Sequence, residues 1–288
     1  MKNINELLHI LSLEIIDTHT FSGNSKTIGS PNVFGGQVLA QALHAAYQTI
    51  REERIVHSLH SYFLLPGNLD IPIVYHVSEM RNGGSFSTRR VTASQKNKTI
   101  FILAASFHKK EEGYNHQEEI NIMIKPPENL LSWSEIVEEF GNFVPDKMKS
   151  FLSLERPIDF KPVTIPNPLE REDLPPVEEV WFKPKGVLKN SSLPVKQQIL
   201  TYISDYNILN AALNPHKSKA SYHNTQMASL DHSMWFFRDF DFNDWMLFSA
   251  KSPSASGARG FATANIFTRN GTLIASLAQE GLMRPKTK

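Results

Sequence analysis

The stretch Gly35–Ile50, GGQVLAQALHAAYQTI, sets Val38, Leu39, Ala42, Leu43, Ala45 and Ala46 around most of a helical circumference. A helix apolar nearly all round has no face left for solvent and must be buried. Its small side chains let other backbone come close. Strand-like runs follow at 55–65, 71–80, 85–95 and 99–108, and another precedes the helix near Glu14–Phe21. A buried helix followed by a run of antiparallel strands predicts an α+β unit whose sheet wraps one helix. Ahead of it, Ile4, Leu7, Leu8 and Leu11 fall at helical spacing and predict a short amphipathic helix.

The same order returns later. A strand near Glu179–Lys183 precedes a helix at about 195–212, and strands follow near 225–237, 244–251, 256–268 and 272–284. Residues echo the repeat too: His60-Ser61 with His232-Ser233, Ser87-Thr88-Arg89 with Gly257-Ala258-Arg259, and Ala105-Ser106 with Ala275-Ser276. Between the copies, 113–178 carries Pro126, Pro127, Pro145, Pro157, Pro162, Pro166, Pro168, Pro175 and Pro176, which defeat long helices and central strands. The expected organisation is therefore a unit at 1–112, a surface-packed connecting segment at 113–178 with one short helix near Ser134–Phe140, and a second unit at 179–288.

Thirty basic and 29 acidic side chains leave a formal charge of +1, unlike the basic excess of a nucleic-acid binder. With no cysteine, disulfides, thiol nucleophiles and Cys-based metal sites are excluded together. No apolar run reaches the ~20 residues of a membrane helix, and Asn5, Glu6, His9 and Glu14 interrupt any signal-like N-terminus. A cytoplasmic protein without membrane insertion is expected.

VFGGQVLAQAL (33–43), HSLHSYFLLPG (57–67), RNGGSFSTRRV (81–91), SDYNIL (204–209), LDHSMWFF (230–237), SASGARGF (254–261) and AQEGLMR (278–284) resemble, collinearly, the acyl-CoA thioesterase II family. The resemblance implies a double hotdog fold and hydrolysis of acyl-CoA to free acid and coenzyme A, without metal or cofactor. It also implies a water held by an Asp on the second hotdog helix, a Thr or Ser, and a Gln. The matching positions are Asp205, Ser229 and Gln279. Ser229 stands where relatives carry Thr, keeping the hydroxyl and losing the methyl that restricts its rotamer.

Read without the family, Asp205 lies on a mostly apolar stretch, where a carboxylate is costly to bury unless hydrogen bonded or functional. Ser229 has no convincing base, because Asp231 and His232 follow it on one strand whose alternate residues face opposite sides. No G-x-S-x-G elbow exists. Gln279 shares a strand face with Leu273, Ala275 and Leu277 and needs hydrogen-bond partners there. Gly35-Gly36 are candidates for an oxyanion or phosphate at a helix start, and Arg89, Arg90 and Arg259 for coenzyme A phosphates; close packing and solvated strand arginines are the plain alternatives. The stretch Thr18–Arg51 contains no Asp or Glu, so one site per chain is expected, in the second unit. No histidine pattern suggests a metal. Exposed hotdog sheets suggest a homo-oligomer. Two other functions stay open: a non-catalytic acyl-CoA binding or sensing module, and a hotdog enoyl-CoA hydratase.

Overall fold

The computed structural model describes residues 1–51, 53–121, 123–142, 149–150, 152–165, 172–189 and 191–286. Pro145, Pro166 and Pro168 of the connecting segment lie outside them.

A short helix α1 (Ile4–Leu11), capped by the Asn3 side chain, leads into β1 (Glu14–Asp17) and β2 (Thr20–Gly23). The buried helix α2 spans Gly35–Tyr47, and β3 (Arg54–Phe63), β4 (Ile73–Asn82), β5 (Phe86–Gln95) and β6 (Lys98–Lys109) follow. The connecting segment contains α3 (Trp133–Phe140), opened by a capping box at Ser132 and Glu135, and the strand β7 (Ile158–Pro162). The second copy consists of β8 (Val177–Pro184), α4 (Leu193–Ser204), the single turn α5 (Asn210–Leu213), β9 (Thr225–Ser229), β10 (Asp231–Phe236), β11 (Met246–Ser256), β12 (Arg259–Thr268) and β13 (Leu273–Pro285).

All strands join one sheet in the order β1-β2-β4-β5-β6-β3-β10-β13-β12-β11-β8-β7, with β9 added on β13. The order is palindromic about the β3–β10 junction: β2-β4-β5-β6-β3 on one side is answered by β10-β13-β12-β11-β8 on the other. The first half curls around α2, and the strands β8, β11 and β12 of the second pack against the turn α5 that follows α4. Val38, Leu39, Ala42, Leu43, Ala45 and Ala46 of α2 are all buried, and they share one core with Ile199, Leu200 and Ile203 of α4. Two polar bonds cross between the helices, Tyr47 Oη to Gln197 Oε1 at 2.5 Å and His44 Nδ1 with Gln198 Oε1 at 3.0 Å. No described helix is long and apolar enough to cross a membrane.

Three expectations need correction. The connecting segment is more than surface linker, since β7 pairs with β8 as the outermost strand; an edge position tolerates the flanking prolines that a central strand would not. The long second helix breaks after Ser204, because Asn207 takes a left-handed φ of 64° that no right-handed helix continues. The repeat is real in element order, but its residue matches are out of register. His60 is exposed and His232 is buried, on opposite faces of the sheet, as a one-residue slip dictates. Gly257 and Ala258 sit in a tight turn with φ of 55° and 60°, whereas Ser87-Thr88 lie inside β5.

Candidate active site

Where α4 stops, Asp205 is its C-terminal cap (φ −84°, ψ −6°). A carboxylate at the negative end of a helix is unfavourably placed. The fold offsets this with the other helix. Phe34 begins α2 without a capping side chain, so its first N–H groups are unsatisfied locally. The Asp205 carboxylate lies against this amino end, on a helix of the opposite half, and the Gly36 N–H helps to hold its pKa down. Glycine is required for this approach. A Cβ on Gly35 would lie 2.6 Å from Asp205 Oδ2, and one on Gly36 would lie 2.3 Å from the Tyr202 carbonyl oxygen.

Ser229 ends β9 opposite Gly281 of β13, and Gln279 lies two residues earlier on the same strand face. The two side chains converge on Asp205. Ser229 Oγ donates to Asp205 Oδ1 at 3.2 Å, Gln279 Nε2 donates to the same oxygen at 3.0 Å, and Gln279 Nε2 also reaches Ser229 Oγ at 2.9 Å. Asp205 and Ser229 are half-buried; Gln279 is fully buried. Desolvation raises the Asp205 carboxyl to about 6, against the opposing pull of Gln279, Ser229 and the Gly36 N–H. Such a carboxylate is ionised at neutral pH yet basic enough to accept a proton.

Behind this triangle stands a residue the sequence reading set aside. His232 is fully buried, with Nδ1 2.5 Å from Gln279 Oε1 and Nε2 3.0 Å from Ser204 Oγ. Burial lowers its imidazole pKa to about 4, so it is neutral at pH 7. Strict alternation along a single strand puts Ser229 with Asp231 and away from His232. The chain instead carries a one-residue bulge at Leu230: Ser229 pairs with Gly281, whereas Ser233 pairs with Ala278, and the register steps by one between them. That step turns Ser229 and His232 to the same side. Asp231 turns away and accepts the Glu280 N–H at 2.7 Å. The legible signal for His232 was its alternation with buried Met234 and Phe236.

The remaining candidates separate. Gly35 and Gly36 meet the Asp205 carboxylate. Arg89 is 2% exposed, and its guanidinium donates to Thr49 Oγ1 and O, Asn82 Oδ1 and the Arg81 carbonyl, with Glu79 Oε2 at 3.1 Å. It braces the end of α2 against β4 and β5 and offers no free N–H face to a phosphate, which corrects its place among the surface cations. Arg90 is exposed on the face of β5 away from α2. Arg259 is exposed and paired with Glu280 at 2.9 Å. Neither Arg90 nor Arg259 has a contact with the Asp205 cluster among the described residues. No group of three or more His, Asp or Glu among the described residues is placed to hold a metal ion.

The close fit at Gly35 makes a first prediction. Gly35→Ala raises helix propensity but drives a methyl into Oδ2, so the carboxylate must shift. The expected result is a folded protein with kcat reduced about tenfold or more, read from steady-state kinetics beside a thermal melt. A variant with unchanged kcat would show that the carboxylate position is not critical.

Comparison with known proteins gives the same picture along the whole chain. Residues 21–108 match the family model of the acyl-CoA thioesterase N-terminal domain, and residues 148–282 match that of acyl-CoA thioesterase. Acyl-CoA thioesterase 2 of Haemophilus influenzae is 39% identical over 283 residues, covering 98% of each chain. An acyl-CoA thioesterase II of Mycobacterium marinum superposes with a TM-score of 0.78 at 33% identity, over 96% of this chain and 98% of that one. A protein of Alicyclobacillus acidocaldarius with a hot dog fold, 16% identical, aligns with a TM-score of 0.76 over 96% of this chain and 97% of that one, a likeness of fold alone. A palindromic sheet around two helices, a carboxylate shared between the halves and end-to-end similarity lead to one assignment: this chain is a double hotdog protein of the acyl-CoA thioesterase family.

Proposed function

We propose that the protein hydrolyses fatty acyl-CoA of medium to long chain, with a water activated by Asp205 and oriented by Ser229 and Gln279. The observation that carries this reading is the convergence of Ser229 Oγ and Gln279 Nε2 on one oxygen of a carboxylate whose pKa is raised to about 6. The carboxylate takes a proton from the water as its oxygen attacks the thioester carbonyl carbon. The tetrahedral intermediate then collapses with cleavage of the carbon–sulfur bond, and the leaving sulfur takes the proton held by Asp205, giving coenzyme A, the free acid and the carboxylate again. The Ser229 hydroxyl and the Gln279 amide hold the water in line. The amino end of α2 supplies a positive pole for the carbonyl oxygen, which becomes the oxyanion of the tetrahedral intermediate.

The units are proposed as 1–112 and 179–288, joined by 113–178, with only the second supplying the carboxylate. A homo-oligomer in a reducing, cytoplasmic setting completes the proposal, with a place in fatty acid metabolism. Exposed Tyr62 and Trp235 on the outer face of the β3–β10 junction support the oligomer, and the absence of cysteine supports the compartment.

The test is thiol release, followed with a thiol reagent over acyl-CoA lengths from short to long, with free acid identified as the second product. Release that rises towards medium and long chains is expected. Binding without release would favour the sensing module, and hydration of an enoyl-CoA would favour the lyase.

The pH profile is a second check. With Asp205 near 6, the base form is present above that pH and lost below it. We expect kcat/KM to fall about tenfold per unit on the acid side of roughly pH 6. A profile flat to pH 4.5 in a folded protein would exclude Asp205 as the base.

A further inference from the structure

We infer that His232 is a positioning residue for the reaction: it fixes the orientation of the Gln279 amide, so that both amide hydrogens face the water-holding side. This rests on the proposed roles of Asp205, Ser229 and Gln279 and extends them by one residue inward.

Gln279 has two distinguishable ends. In the observed orientation Nε2 faces Asp205 Oδ1 at 3.0 Å and Ser229 Oγ at 2.9 Å, while Oε1 faces His232 Nδ1 at 2.5 Å. Flipping the amide would set its carbonyl oxygen against a carboxylate oxygen, acceptor against acceptor. It would also remove the donor that orients the water. Nothing about an amide in isolation prevents the flip, because its two ends have nearly the same shape.

The imidazole prevents it. With the proton on Nδ1, His232 donates to Oε1, and the amide must keep its nitrogen towards Asp205. With the proton on Nε2, the bare Nδ1 attracts the amide nitrogen, and the flip is favoured. The tautomer of His232 and the orientation of Gln279 are therefore one coupled choice.

The far side of the ring makes the productive setting available. Nε2 lies 3.0 Å from Ser204 Oγ, whose hydroxyl also donates to the Thr201 carbonyl oxygen at 2.8 Å, so donation to Nε2 means giving up that bond in exchange for the one to the ring. Its single hydrogen can turn to Nε2. The result is a run of bonds with one polarity: Ser204 to His232, His232 to Gln279, and Gln279 to Asp205 and Ser229. Each donor in such a run strengthens the next, and the run ends on a negative charge, which rewards that direction. Burial keeps the ring neutral, with one hydrogen to place. The strand holds the ring still, because Ser61 Oγ donates to the His232 carbonyl oxygen at 2.9 Å across the β3–β10 junction.

The corresponding place in the first half lacks the device. Ser61, the cross-strand partner of His232, pairs with Leu103 on β6, whereas the His232 ring meets Gln279 of β13. A leucine there has no amide to orient. Histidine and glutamine occur together in the half that carries the carboxylate and are absent together from the other.

The test uses the full chain with acyl-CoA as substrate. His232→Leu should lower kcat about ten- to a hundredfold with KM within about twofold, because the ring touches the amide and not the substrate. His232→Asn keeps an N–H close to the Nδ1 position and should restore most of the loss. In a Gln279→Ala background, His232→Leu should add no further loss, since there is no amide to orient. A purely structural role would instead lower stability and activity in both backgrounds, without rescue by Asn. Should the Leu variant fail to fold, the unaltered protein still decides: 15N spectra of labelled histidine, with His232 assigned by its absence from His232→Asn, should show an Nδ1-protonated ring. Wild-type kcat in His232→Leu, an additive double variant, failure of Asn to rescue, or an Nε2-protonated ring would each overturn the inference. Unchanged kcat in Asp205→Asn and Gln279→Ala would instead overturn the site itself.

Discussion

Asp205→Asn is expected to cost activity and to gain stability. The substitution keeps the shape of the side chain and removes its charge and its capacity to accept a proton. General-base contributions lie at roughly 10²–10⁴-fold, so kcat should fall by that range. Acyl-CoA affinity should change little, because the carboxylate is not a binding group for an anionic substrate. The stability gain follows from the pKa. The folded protein holds the proton up to about 6, against 3.8 for an ordinary aspartate, so folding is most favourable with the carboxyl protonated. That contribution is complete below pH 4 and is lost as the pH rises through 6. At pH 7 the ionised form costs the fold up to about 3 kcal/mol, at roughly 1.4 kcal/mol per unit. Asparagine removes that cost, and the melting temperature at pH 7 should rise while the difference narrows towards pH 4. A variant that is both fully active and no more stable would contradict the charge assignment and the catalytic role together.

Separating the halves should abolish activity in each. A fragment of residues 1–112 keeps the amino end of α2 and lacks Asp205; a fragment of 179–288 keeps Asp205 and loses the helix end that lies against it. Each would also expose an unpaired strand at the β3–β10 junction and the buried face of its helix. We expect poor solubility and thiol release no greater than the blank for each fragment alone, with hydrolysis returning on co-refolding at equal amounts. A second-half fragment that is soluble and fully active by itself would show that the contact with α2 is dispensable.

The sequence made α2 legible because its apolar residues go all round, and it made the strands legible because they alternate. The break in the second helix was harder to see. It depends on one residue, Asn207, adopting a left-handed conformation that asparagine tolerates better than most residues but that no motif marks. β7 was hidden by prolines that an edge strand tolerates. Asp205, Ser229 and Gln279 were named from family resemblance, and their meeting point depends on contacts far apart in the chain. His232 was missed for a specific reason. Alternation is a local rule, and the bulge at Leu230 resets its phase between Ser229 and His232. Arg89 failed in the opposite way: a strand arginine reads as solvated until the fold brings Thr49, Asn82 and Glu79 around it.

A carboxylate from one half seated against the amino end of a helix of the other has a consequence for how such a chain can change. In a pair of identical subunits every substitution is written twice, and each of the two equivalent centres must tolerate it. Here each substitution is written once. With Asp205 as the proposed base, the other half can alter its walls with no chemistry of its own to preserve, provided that Gly35 and Gly36 stay bare. A molecule with a nucleotide at one end and an alkyl chain at the other calls for unlike walls on the two sides of a single reacting carbon. Fusion of the halves frees the protein from mirror-matched surfaces and lets each side answer to its own end of the ligand.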